Sequence, residues 1–388
     1  MNRELCLRLL SNIMSWDEEI ATEEFKWLSF MASYKYDGYR DYHAGARFIE
    51  SLATWLQQFS PEDRANAYNF IKHNLIYFSP AEIYRLVEKF FPEFVQKDII
   101  SSVAKANGTP SHKIWSSSKN IKDYQIECRK TLFMGLSDGA RIDTLRRMNA
   151  GTISNEQVVI ATQINDEKWT SLLEDLREDL ANHFGLESSE EKFSRVYLID
   201  DFTASGTSIL PDIDVVKRLK GKLFKFLNSI NSEECVFAKN FEIYVHHYIA
   251  TEHAKNNIDA SYSKAKDQLL EISGTDDIRF TYGLVLPEEI SIKSGSDHPF
   301  STLCEKYYDE AIEGDGKHGG QSGTTCKRFG YGQCGLPVVI EHNTPNNSLP
   351  LLWAETESQS GHSMRPLFRR RERHSDMSSN DTTNINKA

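Results

Sequence analysis

The chain has 388 residues, with 45 Lys+Arg against 56 Asp+Glu for a formal charge of −11, and 39% of its residues are hydrophobic. That length predicts two or three domains, and the composition excludes a collagen, a coiled-coil rod, a disulfide-held mini-protein and a wholly disordered chain. The acidic total argues against coating nucleic acid as the main activity.

Residues 1–108 read as an all-helical domain. Ser60-Pro61-Glu62-Asp63 and Ser79-Pro80-Ala81-Glu82 each offer a capping Ser, a Pro at the first helical position and an acid at the third. Ser15-Trp16-Asp17-Glu18 repeats the pattern without Pro. From Pro80, the residues Ile83, Leu86, Val87, Phe90 and Phe91 fall on one helical face. The Tyr-rich stretch Tyr34 to Tyr42 is expected to be packing. Asn107-Gly108-Thr109-Pro110 breaks both helix and strand and marks a boundary.

After it, short apolar strands alternate with amphipathic helices: strands at 131–136, 158–162, 196–199, 241–249 and 278–286, with helices from Ile142, from Trp169 to Phe184, from about Ser208 to Ile230 and over Ala254–Ile272. This order predicts an α/β domain, a parallel sheet covered on both faces, over residues 109–355. From about 287 the regularity decays, through the Gly-rich loop 314–323 and a strand at 336–341, and 356–388 reads as a basic, then polar, disordered tail. No window approaches the run of about 20 apolar residues that a membrane helix needs. The six scattered cysteines suit a reducing compartment, and the N-terminus is unlike a secretory signal, so a cytoplasmic protein is expected.

One stretch carries chemistry: Val196-Tyr197-Leu198-Ile199-Asp200-Asp201-Phe202-Thr203-Ala204-Ser205-Gly206-Thr207-Ser208. A buried strand ends in two carboxylates, and a small, hydroxyl-rich loop leads into a helix. The carboxyl ends of parallel strands are where open α/β sheets bind ligands, and a helix N-terminus suits a phosphate. Gly206 lets backbone approach closely, and Thr203, Ser205, Thr207 and Ser208 add hydroxyls. Asp200 and Asp201 would repel a phosphate and suit sugar hydroxyls or a metal.

This run resembles the phosphoribosyl-diphosphate (PRPP) signature of type I phosphoribosyltransferases. The resemblance implies that Asp200 and Asp201 take the ribose hydroxyls and, through Mg–PRPP, lie beside Mg²⁺, the expected cofactor, while Ala204 to Ser208 hold the 5′-phosphate. It further implies that the earlier strand–loop–helix, with Ser137, Asp138, Gly139, Ala140 and Arg141, holds the pyrophosphate, Arg141 serving the leaving group. An irregular C-terminal hood over about 287–355 then covers the acceptor with Glu341, His342, Asn343 and Trp353. Two departures stand out. The interval where the family has a mobile hairpin carries an acidic helix whose cations are Lys168 and Arg177, and Ala204 sits where purine-using members place an acidic base. The segment 331–353 also resembles phosphoribosyltransferase-like proteins of bacterial anti-phage conflict systems, which implies a defence effector.

Two functions follow as expectations. The first is transfer of phosphoribosyl from PRPP, or a related ribose 5-phosphate nucleotide, to a base, nucleotide or macromolecule, with Asp200, Asp201 and Arg141 as the catalytic groups. The second is a non-catalytic sensor or interaction module that meets a protein partner through the helical domain. Arg365, Arg369, Arg370, Arg371 and Arg373 form the one cluster suited to nucleic acid. Cys304, His318, Cys326, Cys334 and His342 lack a C-x-x-C pair and read as separate residues rather than a zinc site. His246 and His247, adjacent in a strand, point to opposite faces.

Overall fold

The computed structural model describes residues 3–42, 47–161, 165–187, 190–230, 235–313, 324–357 and 362–370. The chain divides into two units, one of Met1–Tyr77, Gly295–Ile312 and Pro337–Ala388, the other of Phe78–Ser294 and Glu313–Leu336. Among the described residues no helix is long and apolar enough to cross a membrane.

The first unit is built on helices α1 (Arg3–Met14), α2 (Glu18–Tyr34), α3 (Phe48–Leu56) and α4 (Pro61–His73), followed by the short strand β1 (Ile76–Phe78). Helix α2 is capped by Asp17, whose side chain accepts from Ile20 N at 2.9 Å. Ser15, the expected cap, instead turns the chain at φ +54°. The helix Pro299–Lys306 adds Phe300, which stacks on Phe70 with ring centroids 3.7 Å apart. The strand Val338–Ile340 pairs with β1. Tyr36 and Tyr39 are buried against Phe48 and Phe368, so the Tyr-rich stretch is packing. Met364, Leu367 and Phe368 are buried too, so these apolar residues draw the start of the expected tail into this core. The stretch 287–355 is divided between the two units. The Gly-rich loop 314–323, and Arg371, Arg373 and the rest of the tail, lie outside the described residues.

The second unit is an α/β fold. Helix α5 (Pro80–Phe90) is opened by the Ser79–Glu82 capping box, and a π-helical turn leads into α6 (Gln96–Ala106). Helix α7 (Ser118–Arg129) is followed by β2 (Thr131–Gly135), α8 (Ile142–Met148), β3 (Val158–Ile160) and α9 (Asp166–Phe184). Then come β4 (Phe193–Thr203), α10 (Ile213–Val216), α11 (Lys222–Ile230), β5 (Phe237–Thr251), α12 (Glu252–Ser273) and β6 (Ile278–Leu286). The sheet order is β3-β2-β4-β5-β6, with every pair parallel.

Alternation along the strands sorts the sheet into two unlike faces. One is aromatic: Phe133, Tyr197 and Tyr244 stack across β2, β4 and β5 at 5.9 and 4.5 Å, under Phe90 of α5. The face of α5 foreseen from Ile83, Val87 and Phe90 is thus spent on the sheet, which is why α5 and α6 count with the α/β unit. The other face is aliphatic, with Leu132, Met134, Val196, Leu198, Ile243 and Val245 packed beneath Leu172, Leu176 and Leu180 of α9, Leu223 and Leu227 of α11 and Ile258 of α12.

The expected long helix from Ser208 is absent. One helical turn forms, with Ile209 N and Leu210 N both donating to Gly206 O. Pro211 then lacks the N–H needed to continue the ladder, and Gly221, at φ +102°, separates α10 from α11.

Candidate functional site

The strand order reverses between β2 and β4, and the crevice outside the carboxyl ends at such a switch point is where open α/β sheets take ligands. Two loops meet there, Ser137–Arg141 after β2 and Ala204–Ser208 after β4.

The acid pair joins them. Ser137 Oγ donates to Asp200 Oδ1, and Lys222 Nζ, at the start of α11, pairs with Asp200 Oδ2. Asp200 is only 3% exposed. Burial raises its carboxyl above the ordinary value, the Lys222 charge opposes this, and the Asp201 charge adds to it. Asp201, on the opposite face of β4, lies over Gly139: a Cβ at Gly139 would fall 2.3 Å from Asp201 Oδ2. Glycine at 139 is what lets the acid and the first loop approach so closely. Arg141 turns the first loop into α8 with left-handed backbone at φ +51°, and its carbonyl accepts from Leu145 N at 2.9 Å. Asp138 is exposed and Ala140 buried.

The second loop is organised by where its carbonyls go. Ala204 O accepts from Thr251 Oγ1 at 2.7 Å and from Cys334 Sγ at 3.7 Å, and Ser205 O from Asn257 Nδ2 at 3.1 Å. Gly206 O accepts from Ile209 N and Leu210 N, Ser208 O from Lys222 N at 2.9 Å, and Ile209 O from Leu223 N at 3.2 Å. The N–H groups of Ser205, Gly206, Thr207 and Ser208 donate to no backbone acceptor among the described residues. Carbonyls tied down with successive N–H groups left over make an anion-receptive nest. The nest replaces the helix N-terminus expected at Ser208. Gly206 is required in it twice over: its φ is +76°, and a Cβ would lie 2.8 Å from Ile258 Cγ1 on α12. Ser205 and Thr207 hydroxyls pair at 2.9 Å, while Thr203 and Ala204 are buried at the strand's end.

The carboxylates leave β4 on opposite faces, and Asp200 is already held by a cation and a hydroxyl. Among the described residues no group of three or more His, Cys, Asp or Glu side chains is placed to hold a metal ion. The donor set does not fit a metal cage built by the protein.

Glu341, His342, Asn343 and Trp353 belong to the first unit. There Glu341 is buried in an ion pair with Arg40 Nε at 2.7 Å, with His342 Nδ1 3.5 Å away. Asn343 O accepts from Ile340 N, and Trp353 Nε1 donates to Ser348 O at 2.9 Å beneath the Arg370 guanidinium. Arg369 pairs with Glu355 at 3.3 Å. Cys304 and His342 lie in the first unit, Cys326 and Cys334 in the second, and His318 lies outside the described residues. In β5, His246 packs on Phe90 and Phe94, while His247 faces the other way beside Tyr282, in register with Asp200.

Sequence reasoning missed Lys222, Thr251, Asn257 and Cys334. Thr251 carried a readable signal, since a Thr between an apolar strand and a helix is a cap; here it caps α12 at Ala254 N and also holds Ala204. A cavity of about 450 Å³ lies alongside β3, lined by Ile142, Asp143, Arg146, Val158 to Ile160 and Lys168.

A sequence model of the PRTase-CE family, which is phosphoribosyltransferase-like, matches residues 52–370. Neither the comparison with curated proteins nor that with solved structures finds a match. The match spans most of the chain, and the chain belongs to the PRTase-CE family.

Proposed function

We propose that this member of the PRTase-CE family binds PRPP, or a related ribose 5-phosphate nucleotide, at the switch point of its sheet and transfers the phosphoribosyl group to an acceptor. The observation that carries this reading is the nest. Four consecutive N–H groups without backbone acceptors among the described residues stand beside two carboxylates, matching a phosphate joined to a sugar diol. In this assignment Ser205 to Ser208 take the 5′-phosphate, and Asp200 and Asp201 accept from ribose hydroxyls. Ser137 to Arg141 face the diphosphate, with Arg146 and Lys168 as cations nearby. Mg²⁺, were it bound with the ligand, would supply positive charge to the diphosphate.

Transfer breaks the bond between C1′ and the diphosphate oxygen. The electron pair leaves with pyrophosphate as a lone pair of the acceptor forms the new bond to C1′. The chain's part is to fix the sugar at both ends and to stabilise charge on the departing group.

A second reading, a sensor that binds without transfer, is favoured by α9. Where a mobile closing segment is expected, α9 instead buries Leu172, Leu176 and Leu180 in the core. Incubation with PRPP, Mg²⁺ and a pool of nucleobases separates the two. Pyrophosphate release supports transfer, binding without release supports the sensor, and absence of binding overturns both.

A further inference from the structure

Lys222 is held at two points. Its backbone N donates to Ser208 O at 2.9 Å, at the end of the phosphate nest, and its Nζ lies on Asp200. The close approach at the first point depends on the residue before it: a Cβ at Gly221 would meet Ile209 O at 2.3 Å. The side chain therefore runs from the phosphate end of the site to the sugar end. The lysine side chain is 32% exposed while that of Asp200 is 4% exposed, so the lysine reaches solvent where the acid does not. With Ser137 on the other oxygen, both oxygens of Asp200 are engaged.

The geometry points to Lys222 as a bridging cation: it holds Asp200 in the ligand-free protein and passes to the ligand's phosphate when a ribose phosphate enters. This inference rests on the proposed ribose-phosphate site. Leaving Asp200 buried without a counter-charge is costly. The lysine therefore transfers readily only when a phosphate receives it and a sugar hydroxyl replaces it on the acid. Lys222 thereby couples the two halves of the site and favours ligands that carry both a phosphate and a neighbouring diol over either fragment alone. A fixed strut pinning α11 to the sheet would show the same static contacts and none of this coupling.

The test is calorimetric titration of the full chain with ribose 5-phosphate and, separately, inorganic phosphate. Lys222→Gln is expected to weaken ribose 5-phosphate about tenfold, and Lys222→Arg, which keeps the charge, to retain most of the affinity. Asp200→Asn frees the lysine and is expected to bind inorganic phosphate about fivefold more tightly than the wild type. Asp200→Ser gives the same comparison if the Asn variant folds poorly. Wild-type affinity for ribose 5-phosphate in Lys222→Gln, or no gain for inorganic phosphate in the Asp200 variants, overturns the bridge and leaves the ribose-phosphate site standing. No binding of either probe to any form overturns both.

Discussion

Strand β4 buries charge at both ends, and the two ends handle it differently. At the amino end, Arg195 is 1% exposed. Its Nε lies 2.8 Å from Glu242, its Nη2 3.0 Å from Ser102 Oγ, and Glu127 stands 3.9 Å from Nη1. Tyr197 closes the cluster by donating to Asp98 at 2.6 Å. Its partners are side chains of α6, α7 and β5, so the network ties the strand to its neighbours. At the carboxyl end, Asp200 is matched by a half-buried lysine, and next to it run four N–H groups with no backbone acceptor among the described residues. Both ends satisfy the rule that buried charges are paired, but the first leaves only Arg195 Nη1 without a hydrogen bond, whereas the second stands beside a run of backbone N–H groups that no backbone carbonyl of the described residues takes up. Backbone donors left over beside a buried acid, rather than buried charge itself, single out the carboxyl end as the candidate site.

Four changes separate the two ends of β4. The largest effect is expected at the amino end. Arg195→Met removes the centre of a buried network and should cost about 3 kcal/mol of unfolding free energy in urea, with ribose-phosphate affinity of the folded protein unchanged. A loss of affinity equal to that at the carboxyl end would erase the distinction.

Gly139→Ala drives a methyl into Asp201 and should lower ribose-phosphate affinity by about 2 kcal/mol, roughly thirtyfold, as read by titration. Unchanged affinity would remove Asp201 from the site.

The third change is pH. Burial pushes His247 down to about 3, with the Lys222 charge lowering it further and Asp201 opposing. The unfolded chain takes up this proton near pH 6.5 and the native protein only far below. The contribution is therefore full above 6.5 and is lost as pH falls from there toward 3. The loss from this one group between pH 6.5 and 5 is about 2 kcal/mol, and His247→Gln should flatten the stability curve by that amount. A curve identical to the wild type's would show that His247 already reaches water.

The smallest effect is expected for Thr251→Val, which deletes the α12 cap and the tie on Ala204 O together. It should cost about 1 kcal/mol in stability, with phosphate affinity falling several-fold. A stability loss without that fall would mean the nest keeps its shape without the tie.

The strands and the acid pair were legible from sequence because they rest on local patterns: an all-apolar run at Val196 to Ile199, two acids, then small residues with Gly206. The pairing of the two loops was legible as chain order, and the contacts of Asp200 with Ser137 and of Asp201 with Gly139 give it physical form. What escaped depends on long-range or competing effects. The helix read at Ser208 stops because Pro211 removes one N–H, a local signal outweighed in the reading by the amphipathic run after it. Lys222 reaches Asp200 from 22 residues downstream only because Gly221 allows α11 to dock on the nest, and no periodicity encodes that. The helices at 80–106 looked like part of an N-terminal domain, since an apolar face read from sequence does not name what it will cover. The same holds for Met364, Leu367 and Phe368, three apolar residues in a polar tail whose burial depends on a pocket assembled from the other end of the chain.

The central claim is that the carboxyl end of β4 holds a ribose phosphate between an acid pair and a nest of N–H groups. Titration of PRPP with Mg²⁺ into the wild type and into the Asp200→Asn, Asp201→Asn double variant, each checked for an intact melting transition, tests it most directly. The wild type should bind, and the double variant should lose at least about a hundredfold in affinity. Equal affinity in the two folded proteins would contradict it.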